Sequence, residues 1–213
     1  MRRNFTLLAT AILFTLSLNA QTEKGSVYVG GSLAFVSSNV SNSSGTPVAG
    51  IPTVTTFAVT PSVGWAYKDN HFMGFGLGYS NVNNKDPLNK YSANEFNVFY
   101  FLRQYKPLGK GFYLFGQEVV SVGFGTGKAT GYNEKIFNSG LSVNPGMAYN
   151  VSKHMQLELQ LVNLLMASYS SNKSSSTDNI NYPSPNDSKQ FVFSTTLDGT
   201  LLNNVSIGIR FFL

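Results

Sequence analysis

The residues best suited to chemistry are five charged side chains on one predicted face of predicted β-strands: Glu95, Arg103, Glu118, Glu158 and Arg210. Charged residues make up only 12% of the chain, so each charge inside a strand is unusual. Glu158 and Arg210 fall on neighbouring predicted strands, a few residues from the same end, and we predict that they form an ion pair. Arg103 and Glu118 form a second candidate pair on adjacent strands. Such pairs either plug a narrow interior or gate it by exchanging partners.

The sequence contains no pattern that predicts catalysis or metal binding. Glu118 and Glu158 are predicted to face a narrow interior, which leaves glycosidase chemistry unsupported. His71 and His154 each follow a predicted short turn, and neither has the nearby serine and acid of an esterase. The chain has no cysteine, so thiolate metal sites and disulfides are excluded. We therefore expect no enzyme activity, no cofactor and no metal.

The elements that must position these charges are strands, because large apolar residues alternate with small or polar ones along most of the chain. Residues 74, 76, 78 and 80, for example, are all glycine or serine between large apolar neighbours. The last predicted strand is long and has an irregularity between Asp198 and Asn204, although a hairpin at Asp198-Gly199 is an alternative. The eight predicted strands are residues 26–37, 55–67, 71–82, 93–106, 112–125, 139–150, 154–169 and 190–213.

The predicted connections alternate in length. Three are tight turns, at residues 68–70, 107–111 and 151–153. Four are long and rich in Ser, Asn, Gly and Lys, at residues 38–54, 83–92, 126–138 and 170–189. Outer-membrane barrels have short periplasmic turns and longer extracellular loops, so this alternation favours that class.

The composition of the two strand faces separates a membrane barrel from a soluble one. A soluble barrel carries its apolar face inside, whereas a membrane barrel carries it outside. The face opposite the large apolar residues is mostly Gly, Ser, Ala and Thr, which suits a narrow lumen better than a soluble surface. A secreted β-sandwich with an aromatic core is the alternative. Aromatic residues predicted to form two belts at the membrane interfaces include Trp65, Tyr67, Tyr79, Phe96, Tyr113, Phe115, Tyr149 and Phe211.

The first 20 residues have the pattern of a secretory signal peptide. Arg2 and Arg3 precede an apolar stretch, and Ala20 provides a small residue before a cut at Gln21. An uncleaved N-terminal anchor is the alternative. Residues 21–213 are predicted to form one barrel domain. Without Arg2 and Arg3 the chain has 13 basic and 10 acidic residues, a formal net charge of +3 that is too scattered for nucleic-acid binding.

Several strand–turn–strand blocks resemble the small outer-membrane β-barrel domains of Gram-negative bacteria, the OmpA/OmpX-like eight-stranded proteins. These blocks are residues 25–35 (GSVYVGGSLAF), 60–67 (TPSVGWAY), 99–125, 143–159 and 204–213 (NVSIGIRFFL). The resemblance implies that the final strand, with Phe211, Phe212 and Leu213, is recognised by the barrel assembly machinery. No peptidoglycan-binding domain is expected after the barrel, which is closer to the OmpX-like case.

From these observations we predict a closed, antiparallel, eight-stranded up-and-down transmembrane β-barrel in the outer membrane. We expect a monomer with a structural or surface-interaction role and a lumen plugged by inward polar residues. A narrow porin-like pore of low conductance and a soluble secreted binding barrel are the alternatives. The expected partners are outer-membrane lipid, lipopolysaccharide and the assembly machinery.

Overall fold

The computed structural model describes residues 22–39, 53–85, 90–176, 187–195 and 204–213. The predicted signal peptide, residues 1–20, lies outside these ranges. Within the described ranges, no helix has the length and apolar character needed to cross a membrane. The strands are β1 Val27–Asn39, β2 Thr53–Lys68, β3 His71–Lys85, β4 Lys90–Gly109, β5 Phe112–Ala129, β6 Tyr132–Asn150, β7 Met155–Leu161, β8 Leu165–Ser176, β9 Asp187–Thr195 and β10 Val205–Phe212.

The strands pair antiparallel in a closed ring with eight positions. Each strand from β1 to β6 pairs with the next one along the chain. β7 and β8 both pair with β6 and together occupy the seventh position. β10 pairs with β7, β9 pairs with β8, and these two strands occupy the eighth position. The last strand then pairs with the first, from Tyr28 with Phe212 to Leu33 with Ile207. The predicted closed, antiparallel, eight-stranded barrel is therefore confirmed.

The seventh position was predicted as one continuous strand, but it is interrupted at residues 162–164. Val143 pairs with Leu165, and Gly146 pairs with Gln160. Between these two pairs β6 advances by three residues while the partner chain advances by five. Asn163 absorbs the extra length with a φ of 58°, and its backbone N–H donates a 2.7 Å hydrogen bond to Oδ1 of Asn144. The eighth position is described as two segments, and the predicted irregularity between them falls on residues 196–203, outside the described residues.

The connection between β5 and β6 was predicted as a long loop over residues 126–138, and this prediction is wrong. The two strands continue to Ala129 and Tyr132, which pair with each other, so the connection is a tight turn. Gly131 takes a φ of 85° in this turn, a conformation that glycine adopts without steric cost. The ladder of backbone pairs extends the strands despite their polar composition. The other three predicted long connections include residues outside the described ranges.

The side chains of β5 face the opposite way from the prediction. Tyr113 was predicted on the outer face, but it lies in the lumen with only 5% of its surface exposed. Glu118 was predicted in the lumen, but it is exposed on the outer face. Residues 112–115 are all large, so the sequence does not show which of them face the lumen. The inward direction is set by Gln117, which binds Arg103, and a shift of one residue moves every side chain to the other face.

Aromatic rings fill the lumen at the end where the short turns lie. Phe72 and Tyr113 directly follow the first residues of β3 and β5, and Tyr28 is fully buried near the start of β1. The Tyr28 ring centroid lies 5.4 Å from that of Phe72 and 5.8 Å from that of Phe212. These contacts pack the turn end of the barrel with aromatic rings. We call this group the aromatic plug; its members are Tyr28, Phe72, Phe101, Tyr105, Tyr113, Phe115 and Phe212.

A valine at Gly74 is expected to lower the free energy of unfolding by about 3 kcal/mol, the upper end of the usual cost of overpacking. A Cβ there would overlap the carbonyl oxygen of Val63 and would lie 2.5 Å from Cζ of Phe101. Gly116→Val is the matched control, because a Cβ at Gly116 meets nothing within 4 Å. Urea unfolding of the refolded barrel measures both. Equal stability of the two variants would contradict this account of the lumen.

Candidate functional site

Three buried charges meet inside the barrel beside the aromatic plug. Glu158 on β7 accepts a hydrogen bond from the Nη1 atom of Arg103 on β4, across the lumen. The same carboxylate oxygen accepts a 2.6 Å hydrogen bond from Nε of Arg210 on β10. The side chain of Arg103 has no exposed surface, and those of Glu158 and Arg210 are also buried. We call Arg103, Glu158 and Arg210 the charge cluster.

Polar side chains from several strands add hydrogen bonds to this cluster. Arg103 donates from Nε to Oε1 of Gln117 at 2.8 Å and from Nη1 to the Tyr105 hydroxyl at 2.9 Å. The Tyr105 hydroxyl is also 3.0 Å from Oε1 of Gln156. Arg210 donates to Oγ of Ser62 on β2 at 3.1 Å. Because every charged group has partners, these buried charges can remain ionised without a large unpaired cost.

The charge cluster holds the two arginines against aromatic rings. The guanidinium carbon of Arg103 lies 4.2 Å from the centroid of Phe115, and that of Arg210 lies 4.4 Å from the centroid of Tyr28. Cations over ring faces are attracted by the ring quadrupole, more strongly where water is excluded. The plug and the cluster therefore form one packed unit that ties β1, β2, β3, β4, β5, β7 and β10 together across the lumen.

The five charges predicted for the lumen have three different environments. Arg103, Glu158 and Arg210 come together, and the expected contact between Glu158 and Arg210 is present. Arg103 pairs with Glu158 and not with Glu118, because Glu118 points outward. Glu95 lies apart from the cluster, on the same strand as Arg103 but eight residues nearer the other end. It accepts a 2.8 Å hydrogen bond from the side-chain amide of Asn138.

The aromatic residues predicted for the outer face are there with two exceptions, Tyr113 and Phe115, which both lie in the lumen. Tyr79 is half-buried and its ring centroid lies 4.9 Å from that of Phe96, on the same face. At the C-terminal end, Phe211 and Leu213 are exposed, while Phe212 points inward and belongs to the aromatic plug. The exposed members at the outer face are Trp65, Tyr67, Phe96, Tyr149 and Phe211.

The two histidines lie at the turn end of the barrel and make separate backbone contacts. The Nδ1 atom of His71 lies 2.8 Å from the carbonyl oxygen of Asp69, and that of His154 lies 3.1 Å from the carbonyl oxygen of Phe212. Among the described residues, no group of three His, Asp or Glu side chains has an arrangement that could hold a metal ion.

Three solved structures of outer-membrane and surface proteins are similar in fold. Neisserial surface protein A is 16% identical over 87% of this chain and 96% of that chain, with a TM-score of 0.47. A major outer membrane protein from Thermus thermophilus is 12% identical over 89% and 99%, with a TM-score of 0.45. The translocator domain of the autotransporter NalP from Neisseria meningitidis is 9% identical over 99% and 95%, with a TM-score of 0.47.

No protein-family model matches the sequence, and no curated protein sequence matches it. The identities and TM-scores above are low, so the fold assignment depends on the strand pairing within this chain. The resemblance to OmpA/OmpX-like proteins stays a prediction of the sequence.

Sequence reasoning missed the neutral partners of the charge cluster. Tyr105 and Gln117 have no charge and no motif, so nothing singled them out along the chain. One signal was available for Tyr105, because it lies two residues after Arg103 and therefore on the same strand face. Gln156 has the same relation to Glu158. Residues at two-residue spacing from a predicted lumen charge are thus the first candidates for its partners.

Proposed function

We propose that this protein is an outer-membrane β-barrel with a structural or surface-contact role and a lumen that does not conduct ions. The observation that carries the proposal is the exposure of large apolar side chains around the outer wall, while charged, polar and glycine residues share the inside of the barrel with the aromatic plug. A soluble protein rarely exposes apolar patches beyond a few hundred Å². On this barrel they surround the wall, including Leu33, Phe35, Phe75, Leu77, Phe96, Val98, Val120, Phe124, Leu141, Leu159, Phe193, Ile207 and Ile209.

A lipid environment accounts for this outer surface, because hydrocarbon replaces the protein core that would otherwise cover it. The aromatic residues near the turn end, among them Trp65, Tyr67 and Phe211, suit one membrane interface. By the usual rule for such barrels, the short turns would face the periplasm and the opposite end the cell exterior. In this orientation the aromatic plug closes the periplasmic end.

The non-conducting lumen is supported by the aromatic plug and the adjoining charge cluster, whose side chains are buried inside the barrel. Apolar constrictions resist wetting, and opening a buried ion pair would leave charges unpaired, which is unfavourable. The role would then lie in the envelope itself or in contacts made at the outer end, with lipid and lipopolysaccharide as partners. No catalytic role is proposed.

The single tryptophan, Trp65, provides a direct test of membrane insertion. In vesicles with spin-labelled phospholipids, we expect its fluorescence to be quenched more strongly by a label near the head group than by one near the chain end. The physical reason is its exposed position on the outer face near the turns. In cells, the protein should fractionate with the outer membrane and should migrate differently on a gel after heating.

A relocated tryptophan serves as the control for depth. In the double variant Trp65→Phe, Val120→Trp, the probe moves to the middle of the outer face of β5, where Val120 is exposed. We expect this probe to be quenched best by the chain-end label. A protein found in the soluble periplasm, or unquenched by either label, would refute the proposal and favour the soluble barrel.

A further inference from the structure

A cavity of about 560 Å³ occupies the lumen on the side of the charge cluster away from the aromatic plug. Its volume falls in the range of small-molecule sites, roughly 300 to 1,000 Å³. Arg210, Ser62 and Gln117 contribute to its lining at the cluster, and Glu95 and Asn138 contribute further along the barrel. The cavity therefore adjoins the packed unit that closes the barrel, and Arg210 of the charge cluster and Phe101 of the aromatic plug both form part of its lining.

Two residues of the lining have polar atoms that the protein itself leaves unsatisfied. Ser206 is only 3% exposed, and its Oγ atom has no hydrogen-bond partner among the described residues. The Oδ1 atom of Asn97 is likewise buried and has no such partner there. Both residues line the cavity. A buried polar atom without a partner is unfavourable, and rotation of these two side chains toward the cavity would let an occupant provide the missing hydrogen bonds.

The charged residues at the floor of the cavity determine whether a bound molecule should be anionic or cationic. The charge cluster contains two arginines and one glutamate, a formal surplus of one positive charge in a buried place. Arg210 itself lines the cavity, and its two side-chain hydrogen bonds, to Glu158 and Ser62, use two of the five guanidinium donors. An anionic group beside Arg210 would neutralise the surplus and would gain charge-assisted hydrogen bonds.

The walls above this floor are partly apolar. Phe99, Phe101, Val119 and Met166 line the cavity together with small residues. Ligand sites commonly combine such apolar walls with a few convergent polar groups. The negative side chain of Glu95, held by Asn138, lies at the far end from the arginines and would repel a second anionic group there.

We propose that this cavity binds a small organic anion with an apolar body, whose carboxylate or phosphate group contacts Arg210. An amide or hydroxyl group next to the anion would satisfy Ser206 and Asn97 once their side chains turn toward it. This inference goes beyond the proposed function and does not depend on it, because the cavity is internal to the barrel. Hippurate combines a carboxylate, an amide and a phenyl ring, and phenyl phosphate replaces the carboxylate with a phosphate.

Isothermal titration of the refolded barrel with these two probes tests the inference. We expect hippurate or phenyl phosphate to bind at least about tenfold more tightly than neutral benzamide or cationic benzylamine, a difference of about 1.4 kcal/mol. The relative affinity of the two anions distinguishes a carboxylate site from a phosphate site. If the folded barrel binds neither anion better than the two controls, the inference is wrong, while the proposed envelope role stands.

The variant Ser206→Ala separates binding from folding. Its hydroxyl has no internal partner, so we expect unchanged stability and about fivefold weaker binding of the preferred anion, as for one lost hydrogen bond. Ser188→Ala, at an exposed serine outside the cavity lining, should change neither. Asn97→Leu provides a second test of the same kind. Unchanged affinity in both cavity variants would overturn the proposed site.

Discussion

Replacing Glu158 with glutamine is expected to lower the free energy of unfolding by about 3 to 5 kcal/mol, the usual cost of removing one partner from a buried ion pair. Arg103 and Arg210 both depend on one carboxylate oxygen of Glu158. Without its negative charge, two buried guanidinium groups remain close together and repel each other. Urea unfolding of the refolded barrel, followed by the fluorescence of Trp65, measures the loss.

Glu118→Gln is the matched control, because it makes the same chemical change on the outer face. A lipid-facing wall favours an uncharged side chain, so we expect Glu118→Gln not to lower the free energy of unfolding. A triple variant, Arg103→Met, Glu158→Leu and Arg210→Met, should recover much of the lost stability, since apolar groups of similar volume often replace a buried ion cluster without cost. If Glu158→Gln and Glu118→Gln behave alike, the charge cluster does not stabilise the barrel.

Removing two rings of the aromatic plug is expected to turn a non-conducting barrel into one with discrete current steps in a planar bilayer. Tyr28 and Phe72 are fully buried, and their ring centroids are 5.4 Å apart. The double variant Tyr28→Ala, Phe72→Ala replaces an apolar constriction by space that water can enter, which opens a path past the polar charge cluster. Each truncation also costs about 3 to 5 kcal/mol of stability, so insertion must be verified first by the heat-dependent gel shift.

The control for this experiment removes a similar ring pair from the opposite face. Phe75 and Tyr100 lie on the outer surface with their ring centroids 5.2 Å apart. The double variant Phe75→Ala, Tyr100→Ala should leave the bilayer current unchanged, because neither ring touches the lumen. Conductance in the unaltered protein would favour the narrow-pore alternative. If neither double variant conducts, or if both conduct equally, the aromatic plug is not what closes the lumen.

The sequence was sufficient to predict the barrel and most of its faces because the side-chain period of a strand is two. Where a strand alternates clearly, as in β10, one pattern predicts every inward residue, including Arg210. β5 begins with four large residues, so the sequence did not show which side chains of this strand face the lumen. The two faces of β5 were therefore exchanged in the prediction, and both Tyr113 and Glu118 were placed on the wrong face. The information that sets these faces is the contact between Gln117 and Arg103, and this contact is a property of two strands.

The composition of the candidate site was also only partly predictable. Glu158 and Arg210 lie on adjacent strands, so sequence position alone suggested their contact. Arg103 lies across the lumen, three ring positions away from Glu158 through β5 and β6, and only the curvature of the closed wall brings them together. The polar hairpin after Ala129 was missed for a related reason, because backbone pairing between neighbours overrides the loop-like composition of its residues.

The position of Tyr28 and Phe212 has a consequence for the order of events as the chain folds. Tyr28 lies in the first strand and Phe212 in the last, yet their rings touch, and the same residues form the backbone pair at the end of the closing seam. Until β10 arrives, β1 and β7 each have an unpaired edge, and such edges invite association with other chains. We infer that packing of the plug and closure of the wall occur in one late, cooperative step. Contacts between such distant parts of a chain form slowly, so the chain needs protection from aggregation until that step is complete.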